Sequence, residues 1–249
     1  MNNVVKERPL ICTAESVRGF LDRSKTQTRR VIKPQPPPGF RWCGKFHSEL
    51  AFTERGDWTC WFDPEMSSAT KEIRRCPFQV GMRLWVKEVW TGHWDVRPPD
   101  RVPSVERVVT DAAVRQENGG FSQAGQSNPV FVYYRATLGD TVPVSHLKWK
   151  SPIFMPRWAS RITLELTDVR AQRLQEISEE DAQAEGLPKF GRGEHGPTYK
   201  TSGPLDGIFS TYSAVMGFAH FWDSINARRG FSWSGNWWVW ALTCKVLDG

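Results

Sequence analysis

Ile162, Leu164 and Leu166 alternate with Thr163, Glu165 and Thr167 within residues 161–174, and a two-residue period of this kind marks a half-buried strand. Its apolar face needs a core to cover it, so the chain has to build a sheet around this segment. Composition and patterning place further strands at residues 9–13, 81–89, 130–136 and 237–246. Helices are expected at 14–23, where Val17, Phe20 and Leu21 share a face behind a Thr13 cap, and at 208–226, where Phe218, Phe221, Trp222 and Ile225 fall at core spacing. A third helix is expected from Ser178, a capping residue. It opens with Glu179, Glu180 and Asp181 at the positive helix end and stops at Gly186. Short strands with few helices and no regular βαβ alternation predict an α+β domain around a small β-barrel, spanning residues 8–247.

Three stretches interrupt that frame. Residues 39–78 follow the Pro-rich run Lys33-Pro34-Gln35-Pro36-Pro37-Pro38 and mix aromatic, Gly and charged residues without a long period, which predicts a hairpin-rich insertion. A second insertion is expected at 94–129, most of it a long surface loop carrying Gly119-Gly120. The third insertion, 189–207, is Gly/Pro-rich and is expected to be mobile.

Composition bounds the partners. With 249 residues, 39% of them hydrophobic and 13 tryptophans, the chain has enough apolar material for a substantial core. The net charge of +6 favours a polyanionic partner, nucleic acid above all, over an acidic protein, although solubility alone also accounts for an excess of this size. No apolar leader and no membrane-length run is visible, and five cysteines at irregular spacing do not suit a disulfide framework, so a cytoplasmic protein without a membrane partner is expected. Cys43, His47, Cys60 and Cys76 lack any Cys-x-x-Cys pair, and neither a metal nor a cofactor is expected.

The densest polar cluster is Lys25-Thr26-Gln27-Thr28-Arg29-Arg30. In a helical or turn-like conformation Lys25 and Thr28 share a face, where a neutral lysine can take the threonine proton and make its oxygen nucleophilic. Arg29 and Arg30 can lower the lysine pKa or grip phosphate. A run like this is more often an ordinary solvated helix end. Glu185 ends its helix where the macrodipole least favours a carboxylate, which suits a general base, and equally a surface acid beside Glu179, Glu180 and Asp181. Glu88, set among tryptophans, can orient a ligand amine or pair with Lys25 or an arginine. Trp149, between Lys148 and Lys150, has the best claim among the tryptophans to stack a base, most of the others being core.

Taken together, Lys25-x-x-Thr28-x-Arg30, the strand opening Gly81-x-x-Leu84-x-Val86 and the helix Ala182-x-x-Glu185-Gly186 resemble the ASCH domain family of the PUA-like β-barrels. The longer wording, including Ser-Pro-Ile-Phe-Met-Pro-Arg-Trp-Ala-Ser-Arg-Ile at 151–162, looks like ASCH proteins of bacteriophages and prophages. The resemblance implies a cleft that binds a nucleoside, RNA or modified nucleic acid. By similarity to small bacterial members that hydrolyse 4-acetylcytidine, it also implies an amidohydrolase. Lys25 would then activate Thr28, Glu185 would handle the proton or water, Arg30 would hold the pocket or a phosphate, and Arg29 would face solvent or phosphate. A non-catalytic reader of RNA or modified DNA bases, or a nuclease, is the alternative. Where the small enzymes open this motif with glycine, the chain has Arg23, which puts the turn presenting Lys25 in question.

Overall fold

The computed structural model of the protein describes residues 6–36, 41–47, 57–62, 71–94, 107–109, 130–140, 148–187, 189–193, 196–202 and 208–247. In chain order the strands are β1 (Glu7–Ile11), β2 (Gln27–Val31), β3 (Arg41–His47), β4 (Asp57–Phe62), β5 (Lys71–Arg75), β6 (Arg83–Lys87), β7 (Trp90–Trp94), β8 (Arg107–Val109), β9 (Val130–Tyr134), β10 (Thr163–Arg173), β11 (Lys189–Gly193), β12 (Gly196–Ser202), β13 (Ile208–Thr211) and β14 (Trp238–Leu247). The α-helices are α1 (Ala14–Leu21), α2 (Arg135–Leu138), α3 (Glu179–Ala184) and α4 (Ala214–Asn226).

The protein is mixed α+β. Its largest sheet has five strands in the order β1-β6-β10-β14-β2, with three-stranded sheets β3-β4-β5, β7-β9-β8 and β11-β12-β13 beside it. A closed barrel requires every strand to have two neighbours. Here β1 and β2 end the order with one neighbour each, so the sheet is open among the described residues. The chain divides into two compact units. One comprises Met1–Arg23, Arg83–Glu165 and Val246–Gly249, the other Ser24–Met82 and Leu166–Lys245, and β10 belongs to both in turn.

In the first unit β1 runs parallel to β6, and the start of β10 runs antiparallel to it, with Leu164 opposite Leu84. Period-two alternation buries Leu10, Leu84, Val86 and Leu164 on one face. Thr13 caps α1 by accepting from the Ser16 amide at 3.3 Å, and Val17 and Phe20 are fully buried, which contributes about 1.5–3 kcal/mol each. Trp90, Val132, Tyr134, Met155 and Ala159 form a further cluster, with Trp158 edge-on to Trp90. The expected strand at 130–136 stops at Tyr134, where α2 begins. Past the end of α1, Arg23 adopts φ +63°, the left-handed conformation that a glycine would supply. The left-handed turn therefore stands on an arginine, at a cost of about 1–2 kcal/mol.

In the second unit β2 pairs antiparallel with β14, in the register Val31↔Val239, Arg29↔Ala241 and Gln27↔Thr243. Gln35 clamps the end of this pair, donating to the Ile32 and Trp238 carbonyls and accepting from the Trp238 amide. The helix expected at 208–226 is shorter, because residues 208–211 form β13 and α4 starts after Ser213, which accepts from the Met216 amide at 3.2 Å. The insertion expected at 189–207 holds β11 and β12, which join β13 in a meander. Ala214, Phe218 and Trp222 fall at successive four-residue steps along α4 and meet Leu174, Ile177, Ala182, Leu187, Tyr199 and Val239 in one core. The 39–78 segment contains the antiparallel β3-β4-β5 meander. Within 94–129, β8 is described and pairs with β9, and the rest of that expected loop lies outside the described residues.

Candidate functional site

The run from Lys25 to Arg30 is extended, not helical: Lys25 bridges Glu185, and β2 follows directly. A strand places side chains of alternate residues together, so Gln27 and Arg29 point one way and Thr28 and Arg30 the other. That is why Lys25 and Thr28 do not share the face that a helical spacing predicts.

Lys25, Gln27 and Arg29 meet the acidic residues of α3. Lys25 Nζ donates to Glu185 Oε2 at 2.7 Å and to the Glu185 carbonyl at 2.6 Å. The amine thereby satisfies a carbonyl at the helix C-terminal end, where a cation is favoured. Arg29 spans both acids, with Nη1 on Glu185 Oε1 at 2.9 Å and Nη2 on Asp181 Oδ2 at 3.0 Å. Gln27 Nε2 donates to Asp181 Oδ1 at 2.7 Å, and Arg170 Nη2 donates to Asp181 Oδ2 at 3.0 Å. The Arg29 guanidinium lies 5.6 Å from the Phe218 ring centroid. Three cations, Lys25, Arg29 and Arg170, thus meet two carboxylates in a setting where Lys25 is 2% and Glu185 4% exposed. Charges buried this deeply persist only when paired and hydrogen-bonded.

α3 is shaped for this contact. Ser178 caps it by accepting from the Asp181 amide, and Glu185, the C-terminal capping residue, lies four positions after Asp181, which stacks both carboxylates on one face. Gly186 then turns the chain at φ +67° against Lys25: a Cβ built on it would lie 2.5 Å from Lys25 Cβ.

Burial pushes the Asp181 carboxyl up, but the Gln27 hydrogen bond and the Arg170 and Arg29 charges outweigh it, so Asp181 titrates below the ordinary aspartate value. A carboxylate whose pKa is depressed by folding adds stability above its unfolded pKa and loses that contribution as pH falls through its folded one. Asp181→Asn is therefore expected to be less stable than the wild type at neutral pH, with the gap closing below about pH 4. Urea midpoints measured across the acid range check this.

The other expected site residues lie elsewhere. Thr28 is buried opposite Leu242 and takes no part in the Lys25–Glu185 network among the described residues. Arg30 is half-buried opposite Trp240. Arg29, expected at solvent or a phosphate, is instead buried on Asp181 and Glu185. Glu88 belongs to the first unit, where Arg161 grips it through two hydrogen bonds of 2.9 and 3.0 Å, its own plane 4.0 Å from the Tyr134 ring centroid. The arginine pairing expected for Glu88 is thus present, with Arg161 as the partner. Trp149, also in the first unit, is half-buried and donates to the Asp140 carbonyl at 3.3 Å. Sequence reasoning missed Gln27, Arg170 and Asp181 as partners in the network. The signal was present in the i, i+4 acid pair on α3 and in the alternate-residue spacing of Lys25, Gln27 and Arg29.

Among the described residues no group of three His, Cys, Asp or Glu side chains is placed to hold a metal. The side chains of Cys43, His47 and Cys60 lie outside that set. No described helix is long and apolar enough to cross a membrane. No protein-family model, curated protein or solved structure matches the chain.

Proposed function

We propose that the chain is an ASCH-type protein of the PUA-like class that binds a nucleobase or nucleoside, free or within RNA, with the Lys25–Glu185 pair at the centre of its site. The observation that carries this is the 2.7 Å contact between two residues 160 positions apart, the lysine and glutamate that the resemblance brings together. On this reading the reaction is hydrolysis of an acylated cytosine amine. Glu185 accepts a proton from water as its oxygen adds to the acyl carbonyl. The Lys25 ammonium returns a proton to the departing amine as the C–N bond breaks, leaving a carboxylic acid and cytidine. Thr28 supplies no proton relay in this scheme.

The burial of both groups favours a second reading, in which the network only holds β2 to α3 and the protein is a non-catalytic reader of bases. Incubation with 4-acetylcytidine, with cytidine release followed by chromatography, separates the two. Turnover that Lys25→Met abolishes in a folded protein is the expected result. Absence of turnover by the wild type leaves the reader, and absence of nucleoside and RNA binding as well removes both.

A further inference from the structure

We propose that the outward face of β1 and β6 in the first unit, together with the turn Pro152–Phe154, is a docking surface for single-stranded nucleic acid. The inference rests on the nucleic-acid reading above but not on chemistry at Lys25 and Glu185.

The pleat that buries Leu10, Leu84 and Val86 turns Ile11, Trp85 and Lys87 outward, with Ile11 opposite Lys87 in the parallel register. Lys87 Nζ donates to the Ile153 carbonyl at 2.5 Å, which ties the turn to this face. The turn carries the most exposed large apolar side chains of the first unit among the described residues, Phe154 at 73% and Ile153 at 61%, and Ile11 beside Lys87 is 48% exposed. Burial cannot account for a phenyl ring left in water on a turn tied to β6, since folding gains almost nothing from it there.

Charge indicates what covers it. Lys87 Nζ stands 5.3 Å and Arg157 Cζ 6.0 Å from the Trp85 ring centroid, and Arg157 neutralises Glu7 across a 2.9 Å ion pair. Exposed Lys148 and Lys150 lead directly into the turn, with Trp149 between them. Cations interleaved with accessible rings suit a strand whose phosphates meet the amines while its bases stack on the rings. A duplex keeps its base faces covered, so only an unpaired strand can use Phe154.

The test uses the full chain, a labelled uridine oligoribonucleotide of about 16 nucleotides, its deoxy counterpart and a duplex of the same length, with binding read by fluorescence anisotropy. Either single strand is expected to bind more tightly than the duplex, with affinity falling steeply between about 50 and 200 mM salt. Phe154→Ala is expected to weaken single-strand binding roughly tenfold and Phe154→Trp to restore it, stacking one base being worth about that much. Val80→Ser, at a side chain 62% exposed in the second unit, is expected to change nothing. Single-strand affinity that survives Phe154→Ala overturns this surface and leaves the Lys25–Glu185 reading standing, as does nucleoside turnover without strand binding. Duplex bound as tightly as single strand overturns it, and so does salt-insensitive binding, which would mark an apolar protein partner. A wild type that binds neither nucleoside nor strand overturns both proposals.

Discussion

Glu185→Ala is expected to cost about 3–5 kcal/mol of stability, seen as a large drop in the urea midpoint. The cost comes from what remains. Lys25, with 1% of its side chain exposed, and Arg29, with none, would keep their charges in the interior without the carboxylate that joins them, Arg29 still meeting Asp181 and the Gln27 amide oxygen. Lys25→Met is expected to cost clearly less, because Glu185 still holds Arg29 at 2.9 Å and an unbranched apolar chain fills the same slot. The double variant is expected to cost less than the two single changes added together, since once the amine is gone the carboxylate has one less cation to strand. A Glu185→Ala protein within about 1 kcal/mol of the wild type would mean that this network stands open to water in solution.

Gly186→Ala carries the second large effect, about 2–5 kcal/mol, from two separable sources. At φ +67° any L side chain is strained, and the added Cβ would come 2.5 Å from Lys25 Cβ and 3.0 Å from Lys25 Cα. Backbone cannot rotate away as a side-chain tip can, so the strand end carrying Lys25 has to move, taking the amine off Glu185. Gly186→Asn apportions the loss, because asparagine tolerates the left-handed conformation but brings the same Cβ. Equal losses from the two variants assign the effect to the close approach, whereas recovery in the asparagine variant assigns it to the dihedral.

Much of the local structure was legible in the sequence, because its causes are local. The alternation from Ile162 to Thr167 became β10, and Ser178 and Gly186 bracket α3 as their capping chemistry predicts. β2 was not legible, and the reason is physical: its buried residues, Gln27, Thr28 and Arg29, are all polar, so a hydrophobic pattern does not register the strand. The β11-β12 pairing was not legible either, because the Gly and Pro residues at 189–202 interrupt any two-residue apolar period. The helix expected from residue 208 begins only at Ala214, where the Ser213 side chain caps it. The meeting of Lys25 with Glu185 followed from the resemblance alone, since spacing carries no information across 160 residues. Asp181, read as a helix-start acid, also turned out to be half of the acid pair that binds Arg29.

One further acid on α3 gives that helix a wider reach. Glu179 accepts from Ser213 Oγ at 2.6 Å and from the Ala214 amide at 2.7 Å, so it anchors the start of α4 while Asp181 and Glu185, further along, anchor β2. Six residues are too few to hold a helix in water by themselves, so α3 owes its position to these three tethers and the small core beneath it. A shift of the Glu185 backbone away from Lys25 would therefore unwind α3 or drag Glu179 with it. A molecule that moves that backbone would be felt at the first turn of α4, and a probe attached near Ser213 would report it without touching Lys25.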